Sequence, residues 1–239
     1  MNNQTPPVTS TFFVALVKDY LRGLKTKAEV FSDITPVQPA STLADGEVTQ
    51  VVIEAARAVN EDFYEQLITE MGHAADTTPT RAGMVHQLQA LLQGAISRKD
   101  FIEWATWHNE PGTDNGGGFF DDVAVDYCCT QLLPKAGYEL TEAQLQKALA
   151  IFSNPHYQSL KDKVALVLLT EQEQQRFLFY LGDFIQGHTS PEQLDVYLLN
   201  RFGMDHHSFP YMPALITIMH NPAKLPALLQ VAMNGALSE

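Results

Sequence analysis

The sequence predicts an all-α protein: a mostly antiparallel bundle or array of about ten to twelve helices with no significant sheet. Three observations carry this. Apolar residues recur at i, i+3, i+4 and i+7 through most of the chain, as at Val52, Ala55, Ala56, Val59, Phe63 and Leu67. Glycines stand at the ends of these patterns, and capping residues open the next ones. Runs of alternating Val, Ile and Thr closed by a hairpin turn are missing.

The boundaries follow in chain order. Gly23, then Thr26 with Glu29 three residues on, ends one helix near 10–23 and opens another at 27–34. A long amphipathic pattern covers 46–71. Val85, Leu88, Leu91 and Leu92 mark a helix at 79–93, which Gly94 closes through its access to the left-handed region. Ser97 then caps a helix at 98–109, with Asp100 as a short capping-box partner and Ile96 and Phe101 as a hydrophobic staple. An Asp cap at Asp121-Asp122 marks the start of the helix near 120–133. Boxes at Thr141–Gln144 and Thr170–Glu173 open 142–153 and 171–186. Asn154-Pro155 and Asn221-Pro222 start 155–169 and 222–235, Ser190-Pro191 starts 191–202, and a further helix covers 211–220. Links are short, which favours antiparallel neighbours. The longer irregular stretches are 35–45, 109–119 and 203–210.

Three of these boundaries share one grammar. YLRGLKTKAEVFSDI, LLQGAISRKDFIEWA and FIQGHTSPEQLDVYL each read as helix end, glycine, cap and short amphipathic helix. Their irregular spacing argues against a solenoid and fits convergent helix–turn–helix chemistry, with an old duplication as the alternative.

A chain of 239 residues that is 45% hydrophobic and 18% charged can fill a sizeable core. We expect one domain, with a possible division into an acidic lobe at 1–136 and a second at 137–239, meeting near 134–141. No apolar run approaches the roughly 20 residues of a bilayer span, and the start MNNQTPPVTST has neither the basic residues nor the apolar core of a signal peptide. Cys128 and Cys129 are adjacent, which suits neither a disulfide framework nor a zinc knuckle. They read as small, reduced, apolar residues of a cytoplasmic protein.

The net charge is −13, from 28 acids and 15 bases. Nucleic acids and anionic membranes need a basic surface, so both are unfavourable partners. A basic protein partner is permitted. The surplus is concentrated: 29–76 holds ten acids and one base, Arg57, and 100–126 holds seven acids and no base. Glu47, Glu54 and Glu61 lie seven apart, nearly two helical turns, and Glu65 follows one turn later; together they form an acidic stripe opposite Val52, Val59 and Phe63. Phe101, Trp104, Ala105 and His108 share a face, which leaves Trp107 on the flank of its helix beside Glu103. These six residues, Glu47, Glu54, Glu61, Glu65, Glu103 and Trp107, are the candidate partner contacts. Ser208–Pro213 also places aromatics on a stiff turn, where packing is the simpler reading.

Catalytic and metal signatures are weak. Asp121, Asp122 and Asp126 resemble the aspartate-rich motifs of helical isoprenoid synthases, in which carboxylates one turn apart hold Mg²⁺ against a diphosphate. Here the segment has no base to hold a diphosphate and no second acidic motif, so a helix cap with acids on the N-terminal dipole explains it better. Asp205, His206 and His207, with His188 and His220, match no strong ligand spacing. The glycine-rich stretch 112–118 fits neither a calcium loop nor a phosphate cradle. We expect no cofactor and no resident metal. The alternatives are a helical metal-dependent hydrolase or transferase using Asp121, Asp122, Asp126 or His206 and His207, and a structural or adaptor protein acting as a homodimer.

Gly94-Ala-Ile-Ser97-Arg98-Lys99-Asp100, followed by Trp104-Ala105, resembles a segment of small helical bacterial immunity-like proteins. The likeness covers about fifteen residues, and much of it is cap grammar. Lys99-Asp100 stands where acids usually follow Ser-Arg. The resemblance implies a protein that protects a cell from a contact-delivered toxin by binding and covering it; it carries over no catalytic residue.

Overall fold

The computed structural model describes residues 10–34, 78–106, 120–154 and 159–203, together with 205 and 221. Every regular element among them is helical, so the fold is all-α. The chain divides into two compact units, residues 1–121 and 122–239. Residues 134–141, the expected junction of the lobes, lie inside the second. The expected helices at 46–71, 211–220 and 222–235 fall outside the described residues.

The first unit contains α1 (Ser10–Leu21), α2 (Lys27–Ile34), α3 (Arg81–Leu92) and α4 (Arg98–Thr106). Leu16, Val17, Tyr20 and Leu21 form the buried face of α1, with Val30, Met84, Leu88, Phe101 and Trp104 also in the core. Both helix pairs turn through the same corner. In the first, Gly23 takes φ 85°; its N–H reaches the Tyr20 carbonyl at 2.9 Å, and Leu24 N–H reaches Asp19 at 2.7 Å. In the second, Gly94 takes φ 72°; its N–H bonds Leu91 at 3.0 Å, and Ala95 N–H bonds Ala90 at 2.8 Å. This pair of bonds closes a helix with a left-handed residue, a backbone position that costs L side chains strain. The caps follow three residues later. Thr26 N–H donates to Glu29 at 2.7 Å and Glu29 N–H to the Thr26 hydroxyl at 3.2 Å. Ser97 and Asp100 make the same reciprocal pair at 3.2 and 3.1 Å, so the shorter carboxylate still closes the box.

The two corners lock together through the end of α1. A helix leaves its last carbonyls without internal partners. Here the corner's own N–H groups take some of them, and α3 and α4 add further donors. Trp104 Nε1 donates to the carbonyls of Tyr20 and Leu21 at 3.0 and 3.2 Å. Thr80 N–H reaches Arg22 at 3.1 Å. Gln87 Nε2 reaches Gly23 and Lys25 at 3.2 and 2.7 Å. Such close approach requires a bare backbone: a Cβ on Gly83 would lie 1.9 Å from the Arg22 carbonyl oxygen, and one on Gly23 would lie 2.3 Å from the Trp104 ring.

The second unit contains α5 (Val123–Tyr127), a π-helical segment (Cys128–Leu132), α6 (Leu133–Ala136), α7 (Glu142–Phe152), α8 (Ser159–Val167), α9 (Glu171–Ile185) and α10 (Pro191–Phe202). The expected helix at 120–133 thus starts at Val123 and continues past 133. Pro134 is the reason for its irregularity. Proline has no N–H for a bond four residues back, and its ring crowds the preceding turn. The helix widens before it, with Leu133 N–H bonding the Cys128 carbonyl five residues earlier.

Helix α8 packs against α5, α7 and α10, and every residue from Val164 to Leu169 is buried. Its C-terminal half is apolar on every side, which suits a central position. Gln144 and Gln174 reach the carbonyls of Leu169 and Leu168, each at 2.7 Å, and close its C-terminal end. Gly187 repeats the first unit's corner between α9 and α10: φ 76°, with Gly187 N–H on Phe184 at 3.1 Å and His188 N–H on Asp183 at 2.8 Å. Ser190 and Gln193 form a complete box behind Pro191. The two helices are joined by Tyr180 stacked on Tyr197 at 4.3 Å and by Phe177 edge-on to Phe202 at 5.6 Å.

Candidate functional site

Of the six candidate partner contacts, Glu47, Glu54, Glu61, Glu65 and Trp107 lie outside the described residues. Glu103 is described, and it is held between two cations: Lys99 one turn back at 3.4 Å and Lys27 on α2 at 3.7 Å. Asp33 and Glu29 of α2 are also paired, with Lys25 at 2.8 Å and with His86 of α3 at 2.8 Å. A partner contacting Glu103 would compete with two lysines already beside it. The neighbouring Trp104 is buried in the core of the first unit, with Phe101 and Ala105 of the same face.

The aspartates at the start of α5 divide by role. Asp122 is buried and caps the helix, its Oδ1 accepting from the N–H groups of Ala124 and Val125 at 2.9 and 3.1 Å. Asp121 is exposed. Asp126 lies in the first turn of α5, where burial raises its pKa against the lowering influence of Lys163. Among the described residues no three His, Cys, Asp or Glu side chains are grouped to hold a metal ion. His206, His207 and His220 are outside those residues; His188 is exposed, 3.8 Å from Asp183. Cys128 and Cys129 are fully buried in the π-helical segment, and burial pushes the Cys128 thiol up to about 12 and Cys129 well above its ordinary value. A thiol held protonated is a poor nucleophile.

The most developed site was not among the sequence candidates. It is a cationic cleft in the second unit. Glu173 Oε1 accepts from Arg176 Nη1 at 3.3 Å and from Arg201 Nη2 at 3.2 Å, one turn along α9 and across on α10. Thr170 caps α9 through Glu173 N–H at 3.3 Å. The Glu173 carboxylate does not return to the cap; the two guanidinium groups hold it instead. This converts the capping box expected at Thr170–Glu173 into half a box and an ion cluster. Lys135, held by Gln131 at 2.5 Å, completes the cationic set.

Two adjoining cavities share Lys135, Arg176 and Arg201. The first, about 570 Å³, also holds Glu139, Glu171 and Glu173. The second, about 610 Å³, is lined by those three cations with Tyr180, Gln193, Val196, Tyr197 and Asn200, and by no carboxylate. Tyr197 is only 7% exposed, and its hydroxyl has no hydrogen-bond partner among the described residues. Glu173 Oε2 is likewise buried without one. Burial, reinforced by Glu173, keeps the Tyr197 phenol protonated well above its ordinary range. The cluster joins residues far apart in the chain, so no local motif announces it. The available signal was the scarcity of bases: residues 122–239 contain seven, and three of them line this cleft.

No family model matches the chain, and neither a curated protein nor a solved structure matches it. Among the described residues no helix is long and apolar enough to cross a membrane.

Proposed function

We propose that the chain is a protein-binding protein of the immunity type, which neutralises a toxin by covering a basic surface with its acidic N-terminal part. The observation that carries this reading is the distribution of countercharge. Residues 1–136 hold 18 acids against nine bases. In the described part of that region Lys25, Lys27 and Lys99 are already paired with Asp33 and Glu103. The segment that carries Glu47, Glu54, Glu61 and Glu65 has Arg57 as its single base. A surplus of that kind favours a basic partner through encounter rate and complementarity.

The resemblance around Gly94–Ala105 adds to this reading, although the structure gives Gly94, Ser97 and Trp104 full architectural roles. The test is direct. The product of the reading frame immediately upstream is purified and titrated with this protein at increasing salt. Binding that weakens with salt is expected, as is a further loss in the triple variant Glu47→Lys, Glu54→Lys, Glu61→Lys. A basic toxin domain from that frame that shows no binding overturns the reading. Unchanged affinity and salt dependence in the triple variant removes its electrostatic basis.

A further inference from the structure

We propose that the second unit carries a binding site for a phosphate group, formed by Arg176, Arg201 and Lys135 in the carboxylate-free cavity between α6, α9 and α10. In a chain of net charge −13, this cavity gathers three cations, two amide side chains and two tyrosines on one wall. Glu173 is the carboxylate in contact with the arginines, and it offers one oxygen to both. Among the described residues the three cations thus have one carboxylate in direct contact. A phosphate carries about −1.5 to −2 at neutral pH, and its oxygens suit two guanidinium forks and an ammonium.

A second observation points the same way. Tyr197 lines this cavity and is 7% exposed, and its buried hydroxyl has no partner among the described residues. A buried hydroxyl is ordinarily hydrogen-bonded, and a phosphate oxygen would accept from it. Gln193 and Asn200 add amide donors. Glu139 and Glu171 line the adjoining cavity, not this one. Val196, 59% exposed, and Tyr180 form an apolar edge able to hold the organic part of a phosphate ester.

The site is independent of the acidic region, and its test does not involve the protein partner. Inorganic phosphate and phenyl phosphate are titrated calorimetrically into the full chain, with chloride held constant. Saturable binding of either is expected; tighter binding of phenyl phosphate identifies an ester as the ligand, and tighter binding of inorganic phosphate identifies the free ion. Arg201→Gln should weaken binding by about ten-fold or more, the scale of one charge-assisted contact. The exposed Lys135→Gln, which leaves the core untouched, should weaken it several-fold. Glu173→Gln should tighten it, because the internal competitor for both arginines is gone. Absence of saturable binding of both probes at about 10 mM overturns the proposal. So does phosphate affinity that is unchanged in Lys135→Gln and in Arg201→Gln.

Discussion

The indole N–H of Trp104 on α4 donates to the backbone carbonyl of Tyr20, at the end of α1, at 3.0 Å. This bond crosses the first unit and completes a helix end that the helix cannot complete alone. Replacing Trp104 with Phe keeps an aromatic ring in the core but leaves the Tyr20 and Leu21 carbonyls without this donor. The Tyr20 carbonyl keeps the Gly23 N–H, so the loss falls mainly on the Leu21 carbonyl; about 1–3 kcal/mol of stability is expected, the usual penalty for a buried polar group deprived of its partner. Denaturant titration measures it. A loss indistinguishable from zero would mean that water replaces the indole.

Gly83 makes a sharper case, because local propensity and packing disagree on the sign. Glycine inside a helix costs roughly 0.5–1 kcal/mol relative to alanine, so Gly83→Ala should stabilise α3 considered alone. In the folded unit the added Cβ would sit 1.9 Å from the Arg22 carbonyl oxygen, a backbone atom that cannot swing away. Net destabilisation is expected, on the overpacking scale of about 1–3 kcal/mol. A stabilised Gly83→Ala protein would show that α3 and the end of α1 separate readily.

The corner glycines give an internal comparison. Gly23 and Gly94 share a positive φ, so alanine pays about 1–2 kcal/mol of backbone strain at either. Around Gly94 there is open space, whereas at Gly23 a Cβ meets the Trp104 ring and Gly83. Gly23→Ala should therefore lower the unfolding midpoint clearly more than Gly94→Ala. Equal effects would contradict the close docking of the two corners.

These same positions show what could be read from the chain. Apolar spacing placed α1 to α4 and α7 to α10 within a few residues, and the boxes at Thr26, Ser97, Thr141 and Ser190 are present as expected. Such features depend on residues three or four apart, and sequence displays them directly. The Trp104–Tyr20 bond, the contact at Gly83 and the Glu173–Arg201 pair join residues distant in the chain, so no local pattern encodes them. The half-made box at Thr170 shows the limit well. The motif predicts both bonds, but a tertiary ion cluster takes the side chain away. Of the acidic contact candidates, Glu103 is the one whose surroundings the structure describes, and the lysines beside it come from a different helix as well as its own.

The carboxylates of Glu29 and Asp100 should make stability depend on pH. Burial raises the pKa of Glu29, but hydrogen bonds from Thr26 and His86 outweigh it and the net direction is downward from 4.5. For Asp100 the Ser97 hydroxyl dominates, and the pKa falls below 3.8. A folded pKa below the unfolded one means stability that is present above the unfolded value and lost as pH falls through the folded value. The stability gap between the natural chain and a Glu29→Gln, Asp100→Asn variant should thus be constant near neutrality and close as pH drops from about 5 to 3. Glutamine and asparagine retain acceptors for the caps, so the gap reports charge rather than lost bonding. A gap independent of pH would show that neither carboxylate is held in its ionised form by the fold.

The Glu173–Arg201 pair should behave as a coupled unit. Their side chains are only 16% and 22% exposed, which limits screening by solvent and salt. Removing Glu173 alone leaves two guanidinium groups facing each other; removing Arg201 alone still leaves Arg176 beside Glu173. Glu173→Ala is therefore expected to destabilise more than Arg201→Ala. In a double-mutant cycle the coupling between the two positions should reach about 1–3 kcal/mol, the range for residues in one ion network. Repeating the cycle in high salt separates the buried contribution from the surface one: coupling that persists comes from the pair itself, whereas coupling that vanishes would place both groups in open solvent, contrary to their burial between α9 and α10.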